Sequence, residues 1–287
     1  MKQEETNIRP RYAQSHIPNT VFYIPFGYYY AVRLGTIPKL LSWLLIYVMP
    51  TAFYAAIGYS GAPALFACNY LLILIATFSL YECGYIVNDT ISIRHEEQPA
   101  IRLYDYNFVY FERKKYYIFG ARILISLAAL FALYALTEDM IMVIQIGTAL
   151  ITMSILFAIY NHWRSRYNVW LYPFLVCSRY VPFMLLSPHP WEVWLLLFLS
   201  FPLLNALERF SMPRYRWPLM KKLIPTEESK TLFRVAYYCL LSLIATSFFL
   251  LKGESLLWLT PIYILCAYRI VLTIYLRTHK PENYLNG

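Results

Sequence analysis

The sequence predicts an all-α integral membrane protein: a bundle of about eight transmembrane helices with its polar loops gathered on the cytoplasmic side. Three observations carry this. Of the 287 residues, 59% are hydrophobic and only 14% charged, a balance too apolar for a soluble domain of this length. Apolar runs long enough to cross ~30 Å of hydrocarbon at ~1.5 Å per residue recur along the whole chain. The basic residues, finally, cluster at alternate ends of those runs, which is how a multi-pass protein is oriented.

Taken in order, residues 1–37 read as a cytoplasmic tail followed by an interfacial segment. The first twenty residues are polar and lack the apolar stretch of a cleavable signal, and the Tyr-rich segment Val21–Gly35 suits a headgroup layer. Residues 38–277 form a single transmembrane helical domain with spans at 38–58, 62–87, 115–136, 139–160, 168–187, 190–207, 231–251 and 255–276. The fifth and sixth are parted only by Ser187-Pro188-His189-Pro190, a tight turn with proline opening the next helix. Residues 278–287 form a second cytoplasmic tail.

Charge sets the orientation. One set of loops holds Lys2, Arg9, Arg11, Arg33 and Lys39, then Arg94, Arg102, Arg113, Lys114 and Lys115, then Arg164 and Arg166, then Arg209, Arg214, Arg216, Lys221, Lys222, Lys230 and Arg234. The opposite set holds only Lys252. This asymmetry places both tails in the cytoplasm, requires an even number of spans, and opens the polar loops 88–114, 161–167 and 208–230 on one face, as for a protein of the bacterial inner membrane. The net charge of +9 is accounted for by topology. The basic residues make no stripe interleaved with stacking aromatics, so no nucleic-acid partner is expected. The five cysteines show no metal-binding or disulfide spacing.

The chemistry concentrates in Tyr81–Leu103, where an apolar run ends in Asn88-Asp89. On a continuous helix Glu82, Asp89 and Glu96 fall within about 40° of one another. Asn88, Asp89 and Glu96 offer hard oxygen ligands of the kind Mg²⁺ accepts alongside phosphate oxygens. Glu208, three residues after Asn205, could supply the other half of such a site from across the bundle. Arg94, Arg102, Lys114, Arg164, Arg166, Arg209 and Arg214 could grip a diphosphate, arginine giving the planar two-pronged contact. Each arginine taken alone is better accounted for by topology; the acids among them favour the grip. The two Asn/acid-rich helix ends, at Asn88-Asp89 and Asn205–Glu208, also give the chain a faint internal symmetry. Within the apolar runs, Arg122 lies near enough to a helix end to reach the surface. Glu82, Arg179 and Arg269 require partners inside the bundle, Glu82 as a base or paired with Arg179. His95 and His162 lie in loops near the acids, where solvation alone accounts for them.

Asn88-Asp89-Thr90-Ile91-Ser92-Ile93-Arg94-His95-Glu96, followed by Gln98-Pro99 and Ile101-Arg102-Leu103, resembles the Asn-Asp-x-x-Asp-x-x-x-Asp motif of the UbiA superfamily of intramembrane prenyltransferases. Tyr160 with Arg164 and Arg166 resembles that family's tyrosine step and basic loop, and Glu208 stands at its second acidic motif. Ser92 replaces the middle acid, Glu96 the last, and Met212-Pro213 occupies the place of the second motif's later acid. The resemblance implies transfer of an isoprenyl group from a prenyl diphosphate to a small aromatic or lipid acceptor with Mg²⁺. Asp89, Glu96, Glu208 and Tyr160 would be catalytic, and Asn88, Asp89, Glu96 and Glu208 would hold metal. Arg94, Arg102, Lys114, Arg164, Arg166 and Arg209 would hold the diphosphate, and lipid would surround the helices. Two alternatives remain: transfer of phosphoribosyl to a polyprenyl phosphate on the same scaffold, or a non-catalytic membrane protein that binds a lipid or a partner.

Overall fold

The computed structural model describes residues 16–95, 101–163, 167–212, 215 and 217–279, and every regular element among them is helical. Proline and glycine set many of the boundaries, as their backbone chemistry requires. Helix α1 (Ile37–Ile57) widens into a π turn over Leu44–Val48, just ahead of Pro50, whose missing N–H breaks the regular ladder. Helix α2 (Pro63–Thr90) starts on a proline, where the absent donor costs nothing. Helix α3 (Asp105–Thr137) ends at Glu138 in the left-handed region, φ 53°, and α4 (Met140–His162) begins at once. Its cap is Asp139, whose Oδ1 accepts from the Met142 amide at 2.9 Å.

Among the described residues seven helices are long and apolar enough to cross a membrane, one fewer than the eight spans expected. The shortfall lies at 168–187. There the chain forms α5 (Asn168–Ser178), with Pro173 inside it, and a separate four-residue α6 (Val181–Met184) with Pro182 in its first turn. At the break sits Arg179, buried among the rings of Tyr47, Tyr180 and Phe201 at 4.8, 5.4 and 5.7 Å from their centroids. Apolar composition alone ran the two pieces together. Then follow α7 (Trp191–Phe210), the short α8 (Pro218–Leu223), α9 (Glu227–Lys252) and α10 (Thr260–His279). The π turn of α7 at Leu199–Leu203 contains Pro202, again without an amide donor. Gly253 closes α9 at φ 70°.

The chain groups into two compact units: Met1–Trp43 with Gly61–Trp163, and Leu44–Ser60 with Arg164–Gly287. The first is built on α2, α3 and α4 and holds the segment Asn19–Leu34, whose short helical turns bury Phe22 and Tyr28 against Ile86, Phe111 and Ile118. What fixes this segment is a fully buried ion pair, Glu82 on α2 with Arg122 on α3, 2.7 Å apart. Glu82 also accepts from the amides of Phe26 at 3.0 Å and Tyr29 at 2.5 Å. Arg122 donates to the carbonyls of Phe22 at 2.6 Å, Val21 at 3.1 Å and Ile24 at 3.3 Å. Two ions that would each be costly alone are thus paired and hydrogen-bonded. Arg122 therefore does not reach to the surface, and the partner of Glu82 is Arg122, not Arg179.

Within the same unit α2 and α4 meet at Gly84. A Cβ there would lie 2.2 Å from the buried Phe157 ring, and Asn161 donates to the Gly84 carbonyl at 2.8 Å. The second unit has its own cores: Leu196, Phe249, Leu259 and Ile262 in one, Ile46, Leu204, Tyr238 and Leu265 in another. Tyr238 donates to the Ser200 carbonyl at 2.5 Å, one of the acceptors in the widened turn of α7. Lys252, the basic residue isolated from the others in the sequence, pairs with Glu192.

Two outcomes follow from these contacts. Gly84→Ala should destabilise the protein by about 1–3 kcal/mol, the usual cost of overpacking against an immobile ring, seen as a lower unfolding midpoint in detergent. Arg122→Met and Glu82→Leu should each cost about 3–5 kcal/mol by stranding the other charge, whereas the double variant should lose much less than the sum. Additive losses in that cycle would contradict the pairing.

Candidate functional site

Asn88-Asp89 ends the last full turn of α2, before Ser92–His95 continues as a 3₁₀ turn. Asp89 is fully buried and saturated with donors. Arg33 Nη2 reaches both carboxylate oxygens at 2.7 Å, Arg102 Nη1 reaches Oδ1 at 3.1 Å, Asn88 Nδ2 reaches Oδ1 at 2.9 Å, and the Tyr28 hydroxyl donates to Oδ2 at 3.1 Å. Arg33 and Tyr28 both come from the segment that the Glu82–Arg122 pair secures, and the Arg33 guanidinium lies over the Tyr85 ring, 4.6 Å from its centroid. The Arg33 and Arg102 side chains keep 19% and 27% of their surface exposed, against none of Asp89.

The charges tune one another. Burial, reinforced by the Asp89 charge, pushes the Tyr28 hydroxyl well above the ordinary tyrosine value, so it stays a neutral donor. Burial and the neighbouring Arg33 pull Arg102 below the ordinary arginine value. Burial is the largest influence on Arg33 and acts the same way, but the Asp89 charge together with the neighbouring Tyr85, Tyr28 and Tyr29 outweighs it and the net direction is upward. Arg33 is therefore the primary counter-ion of Asp89, and Arg102 is held less tightly beside it.

As a Mg²⁺ ligand set these residues do not fit in this arrangement. An ionised carboxylate has about four lone-pair positions, and Asp89 already accepts the contacts just described from four side chains. A cation would have to displace one of these donors from Asp89. Among the described residues no three His, Cys, Asp or Glu side chains gather to hold a metal ion. What the site brings together is two guanidiniums at one buried carboxylate, and guanidinium is the donor chemistry suited to phosphate or carboxylate oxygens.

The remaining predicted site residues fall elsewhere. Arg94 pairs with Glu112 on α3, and Lys114 lies 5.2 Å over the Tyr117 ring, so neither contacts Asp89. Tyr160 is half-buried on α4, edge-on to Phe157. Glu208 belongs to the second unit, where Arg234 grips it with Nε to Oε1 at 2.5 Å and Nη2 to Oε2 at 2.7 Å. Arg209 stacks over Tyr172 at 3.6 Å. Glu96, Arg164, Arg166 and Arg214 lie outside the described residues. Sequence reasoning missed Tyr28, Arg33 and Arg234 as site residues. Arg33 and Arg234 were weighed only as markers of orientation, and partners 56 and 26 residues away leave no local pattern.

Unequal roles for the two arginines give a test. Arg33→Gln should lower stability more than Arg102→Gln, by about 1–3 kcal/mol, because it removes the stronger charge-assisted contact to a fully buried carboxylate. Equal unfolding midpoints for the two variants would contradict the assignment.

Compared with family models, curated proteins and solved structures, the chain matches none.

Proposed function

We propose that this chain is a multi-pass membrane protein of the UbiA type that holds the diphosphate of an isoprenyl donor at Arg33 and Arg102 and transfers the isoprenyl group to a hydrophobic or aromatic acceptor. The observation that carries the reading is the convergence of two partly exposed arginine side chains on the buried Asp89 at the end of an apolar helix. In support of membrane insertion, large apolar side chains stand exposed along α3, α4 and α9, among them Leu124, Phe131, Ile141, Leu243 and Leu251. Such a surface is costly in water and favourable in hydrocarbon. If α5 and α6 cross together, at ~1.5 Å per residue their combined length nears a bilayer core. The number of crossings is then even, and the segments before α1 and after α10 share the cytoplasmic side, as the basic loops require.

In this reading Asp89 has a positioning role. Its charge holds Arg33 and Arg102 side by side so that their remaining N–H groups meet the diphosphate oxygens. As the allylic C–O bond breaks, the electron pair leaves with the diphosphate, and the arginines stabilise that growing charge. The allylic carbon then bonds to the acceptor, which loses a proton. The nearby rings of Tyr29, Tyr81 and Tyr85 suit a passing carbocation and exclude water. The saturation of Asp89 favours one competing reading, a protein that binds an isoprenoid phosphate without turning it over.

Purified protein incubated with labelled geranyl, farnesyl and longer prenyl diphosphates, in Mg²⁺ or in EDTA, separates these. Release of diphosphate that falls by about tenfold or more in Arg102→Gln, the worth of one charge-assisted contact, is the expected outcome. Binding without release assigns the non-catalytic reading. Release that requires Mg²⁺ and survives Arg102→Gln contradicts the arginine grip.

A further inference from the structure

We propose that Cys239 on α9 and Cys266 on α10 form a redox-active pair that closes to a disulfide, with a lipid-soluble quinone as the electron acceptor. Their sulfurs lie 3.7 Å apart, in contact, although the residues are 27 positions apart in the sequence. Both are free thiols on half-buried side chains, so each keeps surface that a reagent can reach. The packing around them fixes the contact. Each follows a fully buried residue, Tyr238 or Leu265, and these two belong to one core against which Cys266 also packs. Tyr238 is tied further by its bond to the Ser200 carbonyl. Farther along the same pair of helices, Ala245 shares a core with Leu259 and Ile262, and the Thr246 and Tyr263 hydroxyls lie 2.6 Å apart. Cys239, Ser242 and Ala245 thus put small side chains at successive turns of α9. Small side chains let two backbones approach closely, as the ~4.4–6.8 Å between Cα atoms of a disulfide requires. Rotation of the two side chains about χ1 brings the sulfurs from contact to bonding distance.

Depth selects the oxidant. Cys239 lies midway along the span Glu228–Lys252 and Cys266 midway along Leu256–Thr278, so in a bilayer the pair sits near its centre. Exchange with a soluble disulfide and oxidation by a peroxide both proceed through a thiolate, an ion that hydrocarbon disfavours. A quinone takes up two electrons and two protons together, which leaves no charge in the hydrocarbon. Both S–H bonds break, one S–S bond forms, and the two electrons and two protons reduce the quinone to its quinol. The new bond then holds α9 in register with α10.

The choice of oxidant rests on the membrane-spanning reading proposed above; the contact between the sulfurs does not, and neither needs prenyl transfer. The test uses the full reduced chain in liposomes under argon, mixed with a fully substituted benzoquinone bearing an alkyl tail, which cannot add to a thiol through its ring. Diamide in detergent serves as a second oxidant. Quinol is read by absorbance, and cysteines are mapped by alkylation and mass spectrometry. The expected result is one quinol per chain and a linked peptide pair containing Cys239 and Cys266, while Cys68, Cys83 and Cys177 remain open to alkylation after unfolding. Cys239→Ser and Cys266→Ser, each close in size to the native residue, should lower quinol formation to background while diamide leaves their remaining thiol unlinked. Closure by diamide but not by the quinone overturns the assignment of oxidant. No linked pair with either oxidant, or wild-type quinol formation in the two serine variants, overturns the site itself. Failure of diphosphate release by the wild-type protein would refute the proposed transferase and leave this result untouched.

Discussion

The buried pair Glu82–Arg122 is the interaction on which the first unit depends. Each ion is fully removed from solvent, a loss of hydration that their attraction alone does not reliably recover. The arrangement holds because the spare donors and acceptors are spent on backbone: Arg122 on the carbonyls of Val21, Phe22 and Ile24, Glu82 on the amides of Phe26 and Tyr29. These are the groups that short, irregular turns leave unpaired. Phe26 sits at φ 68°, an uncommon value for a residue with a side chain, and the turn is pinned there from both sides. The consequence is positional. Once residues 21–29 are fixed, Tyr28 and Arg33 arrive at Asp89, and α2 gains a buried carboxylate whose charge is met by arginine.

The same arrangement recurs in the second unit with other residues. Glu208 near the end of α7 is gripped by Arg234 as Asp89 near the end of α2 is gripped by Arg33, and in the first unit Arg102 also reaches Asp89. In both cases guanidinium N–H groups meet the carboxylate oxygens directly. An arginine is a permanent cation with directed donors, so it fixes the place of an anion without needing an ion from solution. That trade gives geometry at the cost of charge density.

The helices themselves were largely legible, because long apolar runs bounded by proline, glycine and charge have few other conformations open to them. The exception is instructive. Residues 168–187 read as one span by composition, yet the helix breaks at the buried Arg179, just ahead of Pro182. Hydropathy sums over such a window and does not register where the backbone ladder fails. Asn88-Asp89 was legible as the centre of the first site for the same reason that it is unusual: an acid at the end of an apolar helix needs an explanation. Its partners were not. Arg33 carried the same positive sign as every other residue used to orient the chain, and Arg122 looked like a cation near a helix end. Which carboxylate each one meets is decided by packing between distant segments, and no spacing in the sequence encodes it.

Hydrogen–deuterium exchange on wild-type and Arg122→Gln protein tests most directly whether one buried pair holds the site together. The account predicts that amides of residues 19–34 lose most of their protection in the variant, while α9 and α10 exchange as in wild type. Unchanged protection of residues 19–34 would show that the segment is held by its apolar contacts alone, and would contradict the central role given to Glu82 and Arg122.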